Sequence, residues 1–150
     1  MEKISLVIPV YNEAENIQQL IQQVNHAFKG QHFEYEIIMV DDGSSDETVT
    51  RVKKLDDQRV HLIKLKRNYG QCPAIKAGID HSTGDYIATI DGDLQNDPAD
   101  LVRMFRILQS EPYDVVTGIR KKRKDQMILR KIPSMIANSL IRKITGTDIV

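Results

Sequence analysis

The sequence lacks the features that mark secreted, membrane-spanning and dinucleotide-binding proteins. Its single cysteine, Cys72, cannot form a disulfide within the chain, and a chain without a disulfide framework is most simply cytoplasmic. The apolar segment at residues 4–10 is far shorter than the roughly 20 residues that cross a bilayer, and no small-residue cleavage site follows it. No G-x-G-x-x-G pattern follows this segment either, which argues against a dinucleotide oxidoreductase.

The sequence also has few candidates for a histidine or cysteine metal site. The four histidines are scattered without the spacing of metal ligands, so we expect surface or packing roles for them: His26, His32, His61 and His81. No internal repeat and no low-complexity linker interrupts the chain. With 150 residues, 41% of them hydrophobic, the composition predicts one domain with one sizeable core.

The formal net charge of zero hides an uneven distribution along the chain. From Gly118 onward there are nine Lys or Arg residues and two acidic residues, whereas the first 117 residues hold 12 basic and 19 acidic residues. A basic end can meet phosphate groups, anionic lipid or nucleic acid. Charge alone does not choose among these partners.

Apolar strand patterns and amphipathic helix patterns alternate along the first 117 residues. Strands are predicted at residues 4–8, 35–40, 60–65, 86–90 and 113–117. The helices between them are predicted at residues 13–28, around Val49, Val52 and Leu55, from near Pro73, and after the Asp97-Pro98 cap. Five strands alternating with four helices predict an α/β fold with an open, mostly parallel sheet covered by helices on both faces.

The pattern changes after Gly118. Residues 120–124 are all basic and have no apolar period, so we predict a loop, and residues 127–144 have the spacing of a closing amphipathic helix. The chain ends at Ile149-Val150 without a recognisable terminal element. We therefore expect residues 1–150 to be a single domain that is truncated at its C-terminal side.

Polar clusters follow four of the predicted strands. In an open α/β sheet, ligands bind outside the carboxyl ends of the strands, where these clusters are expected to meet. The clusters are Pro9-Val10-Tyr11-Asn12-Glu13, Asp41-Asp42-Gly43-Ser44, Asp91-Gly92-Asp93 and Gly118-Ile119-Arg120.

Asp91 and Asp93 are the strongest candidates for a metal site. Two carboxylates separated by one glycine can reach the same hard cation, and Gly92 is expected to let the backbone turn tightly between them. Mg²⁺ or Mn²⁺ fits this arrangement and completes its shell with water and substrate phosphates, so a nucleoside diphosphate is the natural partner. An acidic turn without a ligand is the alternative for this tripeptide on its own.

The other clusters also have two interpretations. Asp41-Asp42 is ordinary turn chemistry, yet a carboxylate there can also accept hydrogen bonds from a ribose or a base. Tyr11 can stack on a base or pack against its neighbours. The tract at residues 120–124 is by default a solvated loop, although Arg120, like Arg130 later in the chain, can stabilise charge on a departing diphosphate.

Four motifs in this order make the sequence resemble the family-two inverting glycosyltransferases. The resemblance is closest to the branch that transfers a sugar to a polyprenyl phosphate, such as dolichyl-phosphate mannose synthases and bactoprenol glucosyltransferases, and the DLQ-x-x-P form at residues 93–98 points to that branch. One departure is Gln71, where members of the family often carry lysine. The motifs are VIPVYNE at residues 7–13, VDDGSSD at 40–46, RNYG at 67–70, and GDY at 84–86 leading into DGDLQNDP at 91–98.

The resemblance implies a GT-A fold and a role for each motif residue. The residues implied to line the nucleotide-sugar pocket are Pro9, Tyr11, Glu13, Val40, Asp42 and Asp91. The residues implied to hold the diphosphate through Mg²⁺ or Mn²⁺ are Asp91, Asp93 and Gln95. Arg120 and Arg130 are implied to contact phosphates of donor or acceptor and, with Asp93, to act in catalysis.

The implied activity is inverting transfer of a sugar from a UDP, GDP or dTDP sugar to a polyprenyl phosphate at the cytoplasmic face of the membrane. A phosphate acceptor is already anionic, so it needs no general base, and none is identified in the sequence. Contact of the basic end with a membrane surface is compatible with such an acceptor, and no nucleic-acid partner is implied.

Three alternatives remain beside this activity. They are transfer to a saccharide hydroxyl in cell-surface polysaccharide synthesis, a non-catalytic nucleotide-sugar-binding module, and a phospho-acceptor receiver domain. The receiver is disfavoured because receiver domains carry their acid pair after the first strand, whereas Pro9-Val10-Tyr11-Asn12-Glu13 follows the first predicted strand here.

Overall fold

The computed structural model describes residues 1–118, in which four strands and four helices alternate. Residues Met1–Thr117 form one compact unit. The strands are β1 (Lys3–Val10), β2 (Glu34–Asp41), β3 (Val60–Lys64) and β4 (Tyr86–Thr89). The helices are α1 (Ile17–Phe28), α2 (Thr48–Lys53), α3 (Gln71–Asp80) and α4 (Pro98–Ser110).

The four strands form one parallel sheet in the order β3-β2-β1-β4. β1 therefore lies in the interior, paired with β2 over its whole length and with β4 over four residues. The chain leaves β1 toward β2 on one side and reaches β4 on the other, so the strand order reverses beside β1. In open α/β sheets, ligands bind at this switch point.

Each face of the sheet is covered by helices. Leu6, Ile8 and Met39 point to one face, where they pack with the apolar stripe of α1 and with residues of α2 and α4. Val7 and Val40 point to the opposite face and pack against Ala74 of α3. Because β1 and β2 are covered on both sides, their sequences are almost continuously apolar.

α3 packs close to the sheet at Gly78. A Cβ atom at Gly78 would lie 2.4 Å from Val7 Cγ1 and 3.1 Å from Val40 Cγ2, so only a glycine lets the helix approach to this distance. Ala74, one turn earlier, is fully buried against the same strands. These two small residues fix the height of α3 above β1 and β2.

The amino ends of the strands are closed by a buried glutamate. Glu36 accepts hydrogen bonds from Lys3 Nζ (2.8 Å), Ser5 Oγ (2.5 Å) and the Thr83 backbone N–H (2.8 Å). Burial by itself would raise the pKa of Glu36, but the hydrogen bonds from Lys3, Ser5 and Thr83 lower this pKa to about 2. The cluster lies opposite the carboxyl ends of the strands and joins β1, β2 and the segment before β4.

Phe105 of α4 packs near the same end of the sheet. Its ring makes edge-to-face contacts with Phe33 and Tyr86, with ring centroids 5.1 Å and 5.0 Å away. Phe105 is 5% exposed. It therefore ties α4 to the amino ends of β2 and β4.

The predicted α/β fold with a parallel sheet and helices on both faces is confirmed. The predicted fifth strand at residues 113–117 is wrong: in the described part of the chain, this segment pairs with no strand, and Val115 is 74% exposed. Its tyrosine, two valines and threonine give it strand propensity, but a strand also needs a partner and a surface to cover. α1 also begins later than predicted, since residues 13–16 form a turn before Ile17.

Within residues 1–118, no helix combines the length and the hydropathy needed to cross a bilayer. The predicted basic loop at 120–124 and the predicted helix at 127–144 lie outside the described residues. The prediction of a single domain over residues 1–150 extends past the described residues and stays a prediction.

Candidate functional site

A cavity of about 330 Å³ lies where β1, β2 and β4 end and α3 begins. A larger groove of about 580 Å³ runs between α1 and α2, but it lies away from these strand ends and contains neither Asp91 nor Asp93. We therefore take the smaller cavity as the candidate site. Its lining residues are Pro9, Val10, Tyr11, Glu13, Asp42, Asn68, Gly70, Gln71, Ala74, Asp91, Gly92 and Asp93.

The loops that follow β1 and β2 hold each other in place. Asn12 has a left-handed φ of 56°, and its Oδ1 accepts the backbone N–H of Ser45 at 2.9 Å. The backbone N–H of Glu13 donates to Thr48 Oγ1 at 2.9 Å. Asn12 tolerates this conformation because a short amide side chain can bond locally. The backbone that carries Tyr11 and Glu13 is therefore fixed from both sides.

The Glu13 side chain is itself held by the turn that leads into α1. Its Oε2 accepts a hydrogen bond from Asn16 Nδ2 at 2.6 Å. Tyr11 is 45% exposed and lines the same cavity. An oriented carboxylate and an exposed aromatic ring on one rim are suited to contact with a nucleoside.

Asp42 connects β2 to the loop before α3. Its Oδ1 accepts the backbone N–H of Tyr69 and its Oδ2 accepts that of Gly70, each at 2.8 Å. The Asp42 residue is only 4% exposed. Asp41, in contrast, is fully buried, and its carboxylate accepts the backbone N–H of Ser44. The turn role that the sequence allows for the acid pair is therefore carried by Asp41, while Asp42 clamps the neighbouring loop.

Gly43 makes the contact between these two loops possible. It has a φ of +74°, and a Cβ atom there would lie 2.4 Å from the carbonyl carbon of Arg67 and 2.7 Å from the backbone nitrogen of Asn68. A side chain would thus be strained by the backbone and would collide with a neighbouring backbone. The Asp42 clamp depends on this close approach.

The side chains of Asp91 and Asp93 both accept hydrogen bonds that orient them. Gln71, the first residue of α3, donates from Nε2 to Asp91 Oδ1 at 2.6 Å. Asp93 Oδ1 accepts the backbone N–H of Gln95 at 3.1 Å. Leu94, which follows Asp93, has a φ of 61°, a conformation that non-glycine residues rarely adopt and that is over-represented at functional sites.

The role predicted for Gly92, a tight turn between Asp91 and Asp93, is not the one that the structure shows. Gly92 does not adopt a left-handed φ, so a tight turn is not what requires glycine at this position. Instead, a Cβ atom would lie 2.8 Å from Val10 Cγ1 and 3.3 Å from the carbonyl oxygen of Pro9. The missing side chain lets the end of β4 lie directly against the end of β1, which brings Asp91 and Asp93 to the cavity.

The donor set fits a hard divalent cation that is shared with a substrate. Asp91 and Asp93 border the same cavity and offer carboxylate oxygens, the ligands that Mg²⁺ and Mn²⁺ prefer. Among the described residues, no three or more His, Cys, Asp or Glu side chains form a cluster that could hold a metal ion by itself. Two carboxylates leave room for water and phosphate oxygens, as is usual for Mg²⁺.

Most of the predicted site residues that the structure describes meet at this cavity. Pro9, Tyr11, Glu13, Asp42, Asp91 and Asp93 line it. Val40 does not: its side chain is fully buried beneath, in the core under α3. Gln95 is exposed just after Asp93 and does not line the cavity. Arg120 and Arg130 lie outside the described residues.

The residues that α3 and its preceding loop add to the cavity had no predicted role. These residues are Asn68, Gly70, Gln71 and Ala74. The motif at residues 67–70 was the signal that could have found them, since a glycine directly before a helix often marks backbone that other residues rarely adopt. Gly70 indeed has a φ of +96°.

Comparison with known proteins identifies the class to which this fold and site belong. The sequence profile described as "Glycosyl transferase family 2" matches residues 5–148, nearly the whole chain. The chain belongs to this family.

A curated relative adds detail. The chain is 43% identical over 150 residues to the dodecaprenyl-phosphate galacturonate synthase of Rhizobium johnstonii, a match that covers 98% of this chain and 44% of that protein. The chain therefore spans less than half the length of this relative.

Solved structures show the same fold at lower identity. The mannosyltransferase PcManGT from Pyrobaculum calidifontis, solved with GDP-Man and Mn²⁺, superposes with a TM-score of 0.64 at 22% identity, over 74% of this chain and 33% of that one. S. aureus TarS, solved with UDP-GlcNAc, superposes with a TM-score of 0.62 at 21% identity, over 86% of this chain and 38% of that one. The fold is thus the GT-A type expected from the sequence.

Proposed function

We propose that this chain is the donor-binding part of an inverting glycosyltransferase that transfers a sugar from a nucleoside diphosphate sugar to a polyprenyl phosphate. The observation that carries the proposal is the cavity at the strand switch point, where Asp91 and Asp93 face the same space as Tyr11 and Asp42. An acidic pair for a cation-bound diphosphate and a nucleoside surface thus lie within one small volume. Family membership supports the same activity.

The donor would bind with its nucleoside toward β1 and β2. Tyr11 offers an exposed ring for stacking, and Glu13 offers an oriented carboxylate for hydrogen bonds from ribose or base. Asp42 already accepts two backbone N–H groups, but a carboxylate has about four acceptor positions and can accept further bonds. Such contacts would hold the nucleoside in place and thereby limit the positions that the reacting sugar carbon can take.

The diphosphate would lie at the other end of the cavity. Asp91 and Asp93 would hold a divalent cation, Mg²⁺ or Mn²⁺, and Gln95 remains a predicted third ligand. When bound, this cation neutralises the charge that builds on the departing nucleoside diphosphate. PcManGT, which has the same fold, was solved with Mn²⁺, and this agrees with a divalent cation here.

The polyprenyl phosphate acceptor is proposed from the Rhizobium relative and from the reactivity of an anionic phosphate. The Rhizobium relative is named as a dodecaprenyl-phosphate galacturonate synthase, which supports a polyprenyl phosphate acceptor for this chain too. An anionic phosphate oxygen can attack the sugar carbon from the face opposite the leaving diphosphate, which inverts that carbon without a general base. Arg120 and Arg130 stay predicted phosphate contacts.

The basic end would bring the protein to the membrane that carries such an acceptor, at its cytoplasmic face. Nine Lys or Arg residues follow Thr117, and each one near an anionic surface contributes about 1 kcal/mol. The chain should co-sediment with vesicles that contain anionic lipid at low salt and release at high salt. Failure to bind at low salt would contradict this part of the proposal.

A transfer assay tests the proposed reaction. The full-length native protein would be incubated with UDP, GDP and dTDP sugars, Mn²⁺ and either a polyprenyl phosphate or a saccharide acceptor. We expect an inverted glycosyl phosphate lipid with one donor, and roughly a hundredfold slower formation or worse in Asp93→Ala. Product on the saccharide alone would indicate a hydroxyl acceptor, and metal-dependent binding without turnover would indicate a non-catalytic module.

A further inference from the structure

Gln71 occupies a position that is fixed by two independent parts of the fold. On one side, the Asp42 carboxylate holds the backbone N–H groups of Tyr69 and Gly70, the two residues directly before Gln71. On the other side, α3 is held against the sheet by the fully buried Ala74, three residues later. The backbone from which the Gln71 side chain extends is therefore well constrained.

From this position the side chain of Gln71 reaches across the cavity to the end of β4. Its Nε2 donates to Asp91 Oδ1 at 2.6 Å, a much shorter bond than the one of 3.5 Å that Asn96 Nδ2 donates to Asp91 Oδ2, and both Gln71 and Asp91 line the cavity. A continuous set of contacts thus runs from the end of β2, through Asp42 and the loop before α3, to the carboxylate that follows β4. The bond itself is exposed, so its effect depends on the constrained backbone on both sides.

The chemistry of an amide suits a partner of a metal-binding carboxylate. A carboxylate that holds a cation is usually oriented by a hydrogen bond from a second residue, and loss of such a partner typically weakens metal binding by roughly 10–100-fold. An amide N–H orients the carboxylate without adding charge. A cationic side chain at the same position would compete with the metal for Asp91.

We infer that Gln71 is a positioning residue that orients the Asp91 carboxylate and thereby sets the affinity of the site for the divalent cation. This inference rests on the proposed donor site. It assigns to Gln71 no contact with the reacting atoms. The neutral amide makes binding of the diphosphate dependent on the metal, because no positive side chain at this position replaces the cation.

The first test is the affinity for Mn²⁺, measured by electron paramagnetic resonance of free Mn²⁺ in the presence of the nucleoside diphosphate that binds best. Gln71→Ala should raise the Mn²⁺ dissociation constant roughly 10–100-fold. Thermal unfolding without metal should stay close to that of the native chain, since the removed bond is exposed. An unchanged Mn²⁺ affinity in Gln71→Ala would overturn the inference.

A second variant separates positioning from general damage to the site. Gln71→Lys should bind Mn²⁺ at least as weakly as Gln71→Ala, yet bind the nucleoside diphosphate without metal more tightly than the native chain does, because the ammonium partly replaces the cation. Damage to the fold would weaken both kinds of binding. Gln19→Lys adds the same charge at an exposed position of α1 and should change neither. Weaker metal-free binding in Gln71→Lys would contradict the inference.

Asp93→Ala, measured in parallel, distinguishes this inference from the proposed function. If the native chain binds no nucleotide in a metal-dependent way, the proposed donor site fails, and the role of Gln71 fails with it. If the native chain binds and Asp93→Ala does not, while both Gln71 variants bind Mn²⁺ as the native chain does, only the role of Gln71 is wrong.

Discussion

Gly43→Ala should damage the donor site far more than a typical glycine substitution. Gly43 has a φ of +74°, a conformation that costs a residue with a side chain about 1 kcal/mol. The new Cβ would also lie 2.4 Å from the Arg67 carbonyl carbon, so this loop must move by about 1 Å to reach an ordinary contact distance. Such a shift would stretch the 2.8 Å hydrogen bonds between Asp42 and the backbone of Tyr69 and Gly70.

The expected cost follows from these two contributions. Loss of one charge-assisted hydrogen bond costs about 2 kcal/mol, so Gly43→Ala should lower the free energy of unfolding by about 3 kcal/mol in total. Gly30 offers a matched control, because it has the same φ of +74° and no atom lies within 4 Å of the position that a Cβ would take there. Gly30→Ala should therefore cost only about 1 kcal/mol.

Urea unfolding of both variants measures the stability difference, and isothermal titration with a nucleoside diphosphate and Mn²⁺ measures the site. Gly43→Ala should bind the nucleotide at least roughly tenfold more weakly, since a shift of about 1 Å at a binding site is costly. Gly30→Ala should bind normally. Equal stability and equal nucleotide affinity in the two variants would refute the proposed contact between the loops.

Three further predictions address the rest of the fold and the nucleoside surface. Glu36→Gln should destabilise the chain by about 3 kcal/mol at neutral pH in urea unfolding, and this difference should shrink as the pH falls from about 4.5 to about 2, because the native carboxylate is then protonated. Phe105→Ala should cost about 3–5 kcal/mol through the cavity left between Phe33 and Tyr86 in the same assay, with α4 less protected from hydrogen exchange. Tyr11→Ala should weaken nucleotide binding by roughly tenfold or more in calorimetric titration while the thermal midpoint stays unchanged, and Tyr11→Phe should retain the affinity.

Hydrophobic periodicity predicted the four strands and four helices that the structure describes, but it also predicted a fifth strand that is not observed. The continuous apolar run of β1 predicts a strand covered on both faces, and the stripe of α1 predicts a helix with one buried face. The segment at residues 113–117, which forms no strand, also contains residues that favour strands, namely Tyr113, Val115, Val116 and Thr117. Strand formation there depends on a pairing partner elsewhere in the protein, and local sequence carries no information about that partner.

The position of the site was predictable for a simple geometric reason. The carboxyl ends of parallel strands share one edge of the sheet, so Tyr11, Asp42 and Asp91 meet although they are far apart in sequence. Which strand ends are neighbours still depends on the order β3-β2-β1-β4, which the periodicity does not determine.

The motif at residues 67–70 marks the loop before α3, but the contacts that this loop makes were not predictable from local sequence. Asp42 contacts Gly70 across 28 residues, and Gln71 contacts Asp91 across 20. Both contacts form only after the sheet has brought the segments together. The role of Gly92 was missed for the same reason, because the close approach of Val10 is a tertiary contact.

The most direct test of the donor site is a calorimetric titration of the chain with UDP, GDP and dTDP, each with and without Mn²⁺, repeated on Asp93→Ala. Binding of one nucleotide that requires Mn²⁺ and is lost in Asp93→Ala is the predicted result, and it would also identify the base. No binding of any of the three nucleotides to the native chain, or equal binding by Asp93→Ala, would contradict the account of Asp91 and Asp93 as the diphosphate site.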